Sequence, residues 1–257
     1  MFNFNLWLIL TVLCLPGIWL MSVHTTNVMN SDASNSLSRT TLLTITFVQT
    51  LLITSASAAS GAYFTPKVGL MDEFLLALSN GHWLPEQLYL QLGIGIAAGL
   101  PCGLVWVAVY YGYVRKRLDP ATVRISESQR LQMGLWTRVA SGGMTEEIIF
   151  RWGFLSLTMW ALSFVTDSIT TAFWFGLFIT GVLFGLAHIP GNVETGATAS
   201  PLLIATSVLG NLWVTLFCGY GLLKFGLLTA ITIHALFHVI WYPFERRVQS
   251  RAAATPT

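Results

Sequence analysis

Leu88–Tyr113 reads LYLQLGIGIAAGLPCGLVWVAVYYGY, 26 residues without one Asp, Glu, Lys or Arg. As a helix it would be about 39 Å long at 1.5 Å per residue, more than the ~30 Å of hydrocarbon in a bilayer. A soluble core helix has no need of such a stretch, and the chain repeats the pattern. Comparable apolar runs cover Phe4–Met21, Thr41–Ala59, Leu135–Phe164, Ile169–Ile189, Leu202–Phe217 and Phe225–Tyr242. The fold class expected is therefore all-α: a polytopic transmembrane helical bundle of about seven spans, with short interfacial amphipathic helices. Gly93, Gly95 and Gly99 in the quoted stretch offer places for close helix packing.

The composition agrees. Of 257 residues 54% are hydrophobic and 9% charged, against about 25% charged in soluble domains. A net charge of +2 is too small for a surface that tracks phosphates, so nucleic acid is excluded as a partner. Membrane lipids are the expected surroundings, and ten Trp suit interfacial belts. Cys14, Cys102 and Cys218 lie in apolar stretches without metal-ligand spacing and read as buried, inert thiols. The first run has no basic start and no small-residue cleavage site, so a retained helix is expected rather than a signal peptide. A polar loop, His24–Arg39, follows it. Lys67–Asn80, short and charged, reads as an interfacial amphipathic segment.

Charge is concentrated in one place: Arg115, Lys116, Arg117, Asp119, Arg124, Glu127, Arg130 and Arg138 fall within 24 residues. Short basic loops stay in the cytoplasm. That rule puts residues 115–130 inside, and the tail with Glu245, Arg246, Arg247 and Arg251 inside too. Four spans separate the two regions, an even number, so the assignments agree. No linker or repeat divides the chain, and 1–257 reads as a single integral membrane domain.

Ionisable groups within spans cost about 2.5–3.5 kcal/mol each on insertion scales, so they mark function. Glu146, Glu147 and Arg151 sit in the fourth span, His188 at the end of the fifth, and His234 and His238 in the seventh. Counted from Arg138, Glu146 is about 12 Å deep; counted from Pro243, His238 is about 7 Å and His234 about 13 Å deep. Three helices thus bring polar groups to similar depth on the cytoplasmic side. Glu147 and Arg151, spaced i,i+4, read as an ion pair. Glu146 is left about 100° round the helix without its own cation, as suits a general base whose proton affinity burial raises. His234 and His238 share a face and can hold a metal ion or two substrate oxygens. A satisfied interhelical bridge is the structural alternative. HExxH, G-x-S-x-G, paired intramembrane aspartates and nucleotide-binding glycine motifs are all absent.

Glu146-Glu147-Ile148-Ile149-Phe150-Arg151 matches EExxxR, Phe184-Gly185-Leu186-Ala187-His188 matches FxxxH, and His234-Ala235-Leu236-Phe237-His238 is similar to an HxxxN/D element. In order and spacing the set resembles the CPBP family of intramembrane proteases, related to the type II CAAX-prenyl endopeptidase and to bacteriocin-immunity proteins. The resemblance covers about residues 120–243; the spans within 1–114 carry no motif. It implies that Glu146 and His188 hold and activate a water, that His234 and His238 bind the oxyanion, and that Glu147 and Arg151, with Phe184, support the site. It leaves open a metal-free glutamate mechanism and a metal-dependent one. His238 replaces the usual Asn or Asp, and Glu146, His188, His234 and His238 make an acceptable ligand set for one zinc ion. The expected activity is endoproteolysis of a lipophilic peptide or membrane-protein substrate. The compact chain points to a bacterial cytoplasmic membrane, with the active site toward the cytoplasm. The alternatives are a non-catalytic membrane partner, such as an immunity factor or scaffold, and a proton-coupled carrier. A carrier would be expected to show inverted repeats or broken helices. The oligomeric state is not legible.

Overall fold

The computed structural model describes residues 2–30 and 36–254, so residues 31–35 of the expected polar loop lie outside it. Among the described residues the chain is helical throughout, with no strand. The helices are α1 (Phe4–Asn30), α2 (Arg39–Phe64), α3 (Glu73–Ser79), α4 (Pro85–Val109), α5 (Pro120–Thr137), α6 (Leu155–Leu162), α7 (Ile169–Ala187), α8 (Ile189–Glu194), α9 (Pro201–Phe225) and α10 (Leu227–Ala254). Their starts follow local chemistry. The side chains of Ser38, Asp72, Asp119, Ser168 and Ser200 each accept a hydrogen bond from a first-turn N–H, and Pro85, Pro120 and Pro201 begin the helices they open.

Among the described residues six helices are long and apolar enough to cross a membrane, beginning at Phe4, Arg39, Pro85, Ile169, Pro201 and Leu227. The protein is a multi-pass membrane protein. The remaining expected span, Leu135–Phe164, is helical without a break from Leu135 to Leu162 but is of another kind. It carries Arg138, Glu146, Glu147 and Arg151. Two stretches within it, Arg138–Thr145 and Ile148–Phe154, are π-helical. Gly134 (φ 74°) turns the chain from α5 into it.

This irregular helix lies against α1, α2 and α10. The motif-free spans therefore clamp the motif-bearing one. Gly17 of α1 sits where a Cβ would collide with the Ala140 carbonyl, and Gly61 of α2 sits under the Trp152 ring. On the other side α4 packs along α10. Gly95 and Gly99 make that contact, against Thr232, Ile233 and Leu236, whereas Gly93 faces open space.

The Lys67–Asn80 segment is more than an interfacial strip. Val68, Leu70, Phe74 and Leu75 are buried in the protein. Asp72 accepts from Leu75 N at 2.8 Å, Gln91 Nε2 at 3.1 Å and Leu227 N at 2.6 Å, and Gln91 Oε1 accepts from Leu228 N at 3.1 Å. Asp72 and Gln91 thus satisfy the open first turn of α10, whose N–H groups have no partner within the helix. Gly226 (φ 117°) makes the turn from α9, and a side chain there would strike Asp72 Oδ2. Burial pushes the Asp72 carboxyl above its usual range, opposed by these hydrogen bonds.

Opposite-charge pairs gather at the other end of α10. Glu245, fully buried, accepts from both Arg130 and Arg138. Arg115 pairs with Glu127 at 2.7 Å. The basic 115–130 region and the tail, expected on one side of the membrane, meet at one end of the bundle.

Candidate active site

Glu147 stands between the two π-helical stretches. Such stretches are rare and recur at functional sites, because the extra residue in the turn re-aims side chains. Glu147 is 0% exposed. Its Oε1 lies 3.2 Å from Arg151 Nη1 and 2.6 Å from His234 Nδ1. Arg151, 1% exposed, also donates to Thr215 Oγ1 of α9 at 2.8 Å and stacks on the Phe184 ring, 4.6 Å from its centroid. Three long segments are thereby pinned to one carboxylate and its partner.

The Glu147 contact decides a tautomer. A carboxylate paired with arginine only accepts hydrogen bonds. His234 Nδ1 is therefore the donor, and in the neutral ring Nε2 carries a lone pair. His234 can donate through Nε2 only as an imidazolium. The oxyanion role implied by the resemblance requires that charged form, with Nδ1–H on Glu147.

His238 stacks on His234, with ring centroids 4.9 Å apart and planes 26° from parallel. Its Nδ1 is buried without a hydrogen-bond partner. Its Nε2 reaches Gly142, where a Cβ would stand 2.5 Å away. The histidine can approach the irregular helix only because position 142 has no side chain. Phe184 is the aromatic hub of the site: buried, T-shaped against His188 at 4.8 Å and against His234 at 6.2 Å.

The structure thus brings Glu147, Arg151, Phe184, His234 and His238 together. Glu146 is half-buried on a neighbouring face. His188 is exposed at the end of α7, its Nδ1 2.8 Å from the Phe184 carbonyl. The four residues expected as zinc ligands do not gather. Among the described residues, the donors that come within 4.8 Å of one another are those of Glu147, Cys218 and His234. As they stand, Glu146, His188, His234 and His238 do not fit a zinc ion. Thr215 went unnoticed in the sequence and Cys218 was read as an inert thiol, because a lone Thr or Cys in an apolar span carries no signal of a neighbouring site.

Fold and site together define a polytopic helical membrane protein with a buried carboxylate–imidazole–guanidinium cluster. Residues 130–240 match the family model described as type II CAAX prenyl endopeptidase Rce1-like, so this part of the chain is similar to that family. The matched stretch contains all three motifs. No curated protein and no solved structure matches the chain.

Proposed function

We propose that the protein is an intramembrane endopeptidase acting on a lipophilic peptide or membrane-protein tail presented at the cytoplasmic end of the bundle. The observation that carries this reading is the buried 2.6 Å contact between Glu147 and His234 inside the stretch that matches the Rce1-like family model. A carboxylate already neutralised by arginine that fixes one imidazole nitrogen is the arrangement that orients a catalytic histidine. Glu146, next in the chain and without an ion-pair partner among the described residues, takes the proton of the attacking water. His188 stands at the exposed end of α7 and steers that water with Nε2, its Nδ1 being held by Phe184. Attack on the scissile carbonyl creates an oxyanion. His234, as imidazolium held by Glu147, donates Nε2–H to it. The substrate must be locally unwound, since a helical carbonyl is already hydrogen-bonded.

The test is cleavage of a lipophilic peptide library by purified protein in detergent, compared with Glu146→Gln. The amide is nearly isosteric but takes no proton. Expected are loss of turnover and an unchanged melting curve. Normal cleavage by the variant would remove Glu146 as base. No cleavage by the parent protein would favour the non-catalytic partner.

A further inference from the structure

The buried side of the site holds chemistry that the proposed reaction does not use. Cys218 on α9 is 0% exposed, and its sulfur lies within 4.8 Å of a Glu147 oxygen and a His234 ring nitrogen. Glu147 divides its work between its oxygens: Oε1 serves Arg151 and His234, while Oε2 is buried without a hydrogen-bond partner. Arg151 is also held independently of Glu147, by Thr215 and by the Phe184 ring. One carboxylate oxygen is therefore free for another ligand without releasing the arginine.

We propose that Glu147, Cys218 and His234 form a binding site for a thiophilic divalent cation of the zinc class, and that occupancy inhibits the enzyme. Thiolate, imidazole and carboxylate are the donor types that zinc takes, and hard cations such as magnesium avoid sulfur. In a tetrahedral site with bonds of 2.0–2.3 Å the donors stand about 3.3–3.8 Å apart. The sulfur, within 4.8 Å of the other two donors, closes by at most about 1.5 Å, and the 2.6 Å Glu147–His234 contact opens to admit the cation. The thiol releases one proton on binding, and the proton that His234 Nδ1 gives to Glu147 moves to Nε2, so that the imidazole coordinates through Nδ1. Arg151 offsets the carboxylate before binding; afterwards the thiolate offsets part of the cation's charge. The inhibitory half of the proposal rests on the endopeptidase reading. It follows because the cation engages the carboxylate and the imidazole that the reaction needs in contact with each other. This site differs from the four-residue set expected from the motifs and shares only His234 with it.

The experiment uses the full chain in detergent, stripped with chelator and titrated with cobalt(II). The expected result is one equivalent bound, with a thiolate-to-cobalt charge-transfer band. Cys218→Ser should abolish the band, and Cys102→Ser should leave it. Loss of an outer-sphere partner alone weakens metal sites about 10–100-fold, so Glu147→Gln should weaken binding by at least about a hundredfold. Melting curves identify any variant that fails to fold, and for such a variant Cys218→Ala is measured instead. The proposal is overturned if the parent binds no stoichiometric cobalt. Binding that survives both Cys218→Ser and Glu147→Gln, or that disappears in His188→Ala, overturns it too. Cleavage by metal-free parent without a cobalt band sinks this proposal alone. A cobalt band without any cleavage sinks the endopeptidase reading and leaves the cation site standing.

Discussion

Replacing Glu147 by Ala separates the structural and chemical duties of one buried carboxylate. The variant would leave the Arg151 guanidinium, 1% exposed, with Thr215 as its hydrogen-bond partner. Its Nε and Nη1 already lack hydrogen-bond partners. Removing one member of a buried ion pair costs about 3–5 kcal/mol, because the other charge stays desolvated. At about 2–4 °C per kcal/mol for a chain of this size the midpoint of thermal unfolding should fall by roughly 6–20 °C. A second substitution decides the cause. In Glu147→Ala/Arg151→Met the stranded charge is gone, and replacing a buried pair with apolar groups is close to neutral. The double variant should therefore melt within about 4 °C of the parent. Cleavage should remain lost in both, since His234 has no acceptor for Nδ1–H. The assay is a melting curve in detergent run beside peptide cleavage. A single variant that melts like the parent would refute the buried-pair energetics. A double variant that recovers cleavage along with stability would refute the orienting role of Glu147.

Three further outcomes follow from the packing and the buried acids. Gly95→Ala and Gly99→Ala should each destabilise by about 1–3 kcal/mol through overpacking against α10. Gly93→Ala, facing open space, should be neutral or stabilising by up to about 1 kcal/mol, and equal melting shifts at the three positions would contradict the α4–α10 interface. Asp72 binds its proton more tightly folded than unfolded, because burial raises its carboxyl above its ordinary value. Its stabilising contribution is thus complete below the unfolded value and is lost as pH rises through the folded one. Melting temperature measured across that window should slope less in Asp72→Asn than in the parent, and identical slopes would deny the linkage. Glu245→Gln should destabilise by at least about 3 kcal/mol, because Arg130 and Arg138 lose their shared carboxylate; unchanged melting would show that the cluster is not desolvated.

How much was legible can be judged at particular residues. The Glu147–Arg151 pair followed from i,i+4 spacing, and the structure has it at 3.2 Å. That Glu146 stands apart from this pair followed from the same helical geometry. The contact of Glu147 with His234 did not follow, because depth estimates put groups at one level without saying which face each presents. Gly93, Gly95 and Gly99 look alike in sequence, yet only the latter two meet α10. Asp72 looked like part of a surface segment; its role as the cap of α10 depends on residues more than 150 positions away.

The sequence by itself determined the class of the molecule. Hydrophobic length and the scarcity of charge leave a bundle of membrane-crossing helices as the solution, because unpaired backbone groups are not tolerated in hydrocarbon. It also picked out the buried ionisable residues, since their cost makes them conspicuous. Tertiary structure alone decided which of them touch. The π-helical stretches rotate Glu147 toward α10 and fall outside the regular 3.6-residue count. Thr215 and Cys218 arrive from α9, a helix without a motif, and proximity between helices is set by packing that no local spacing encodes.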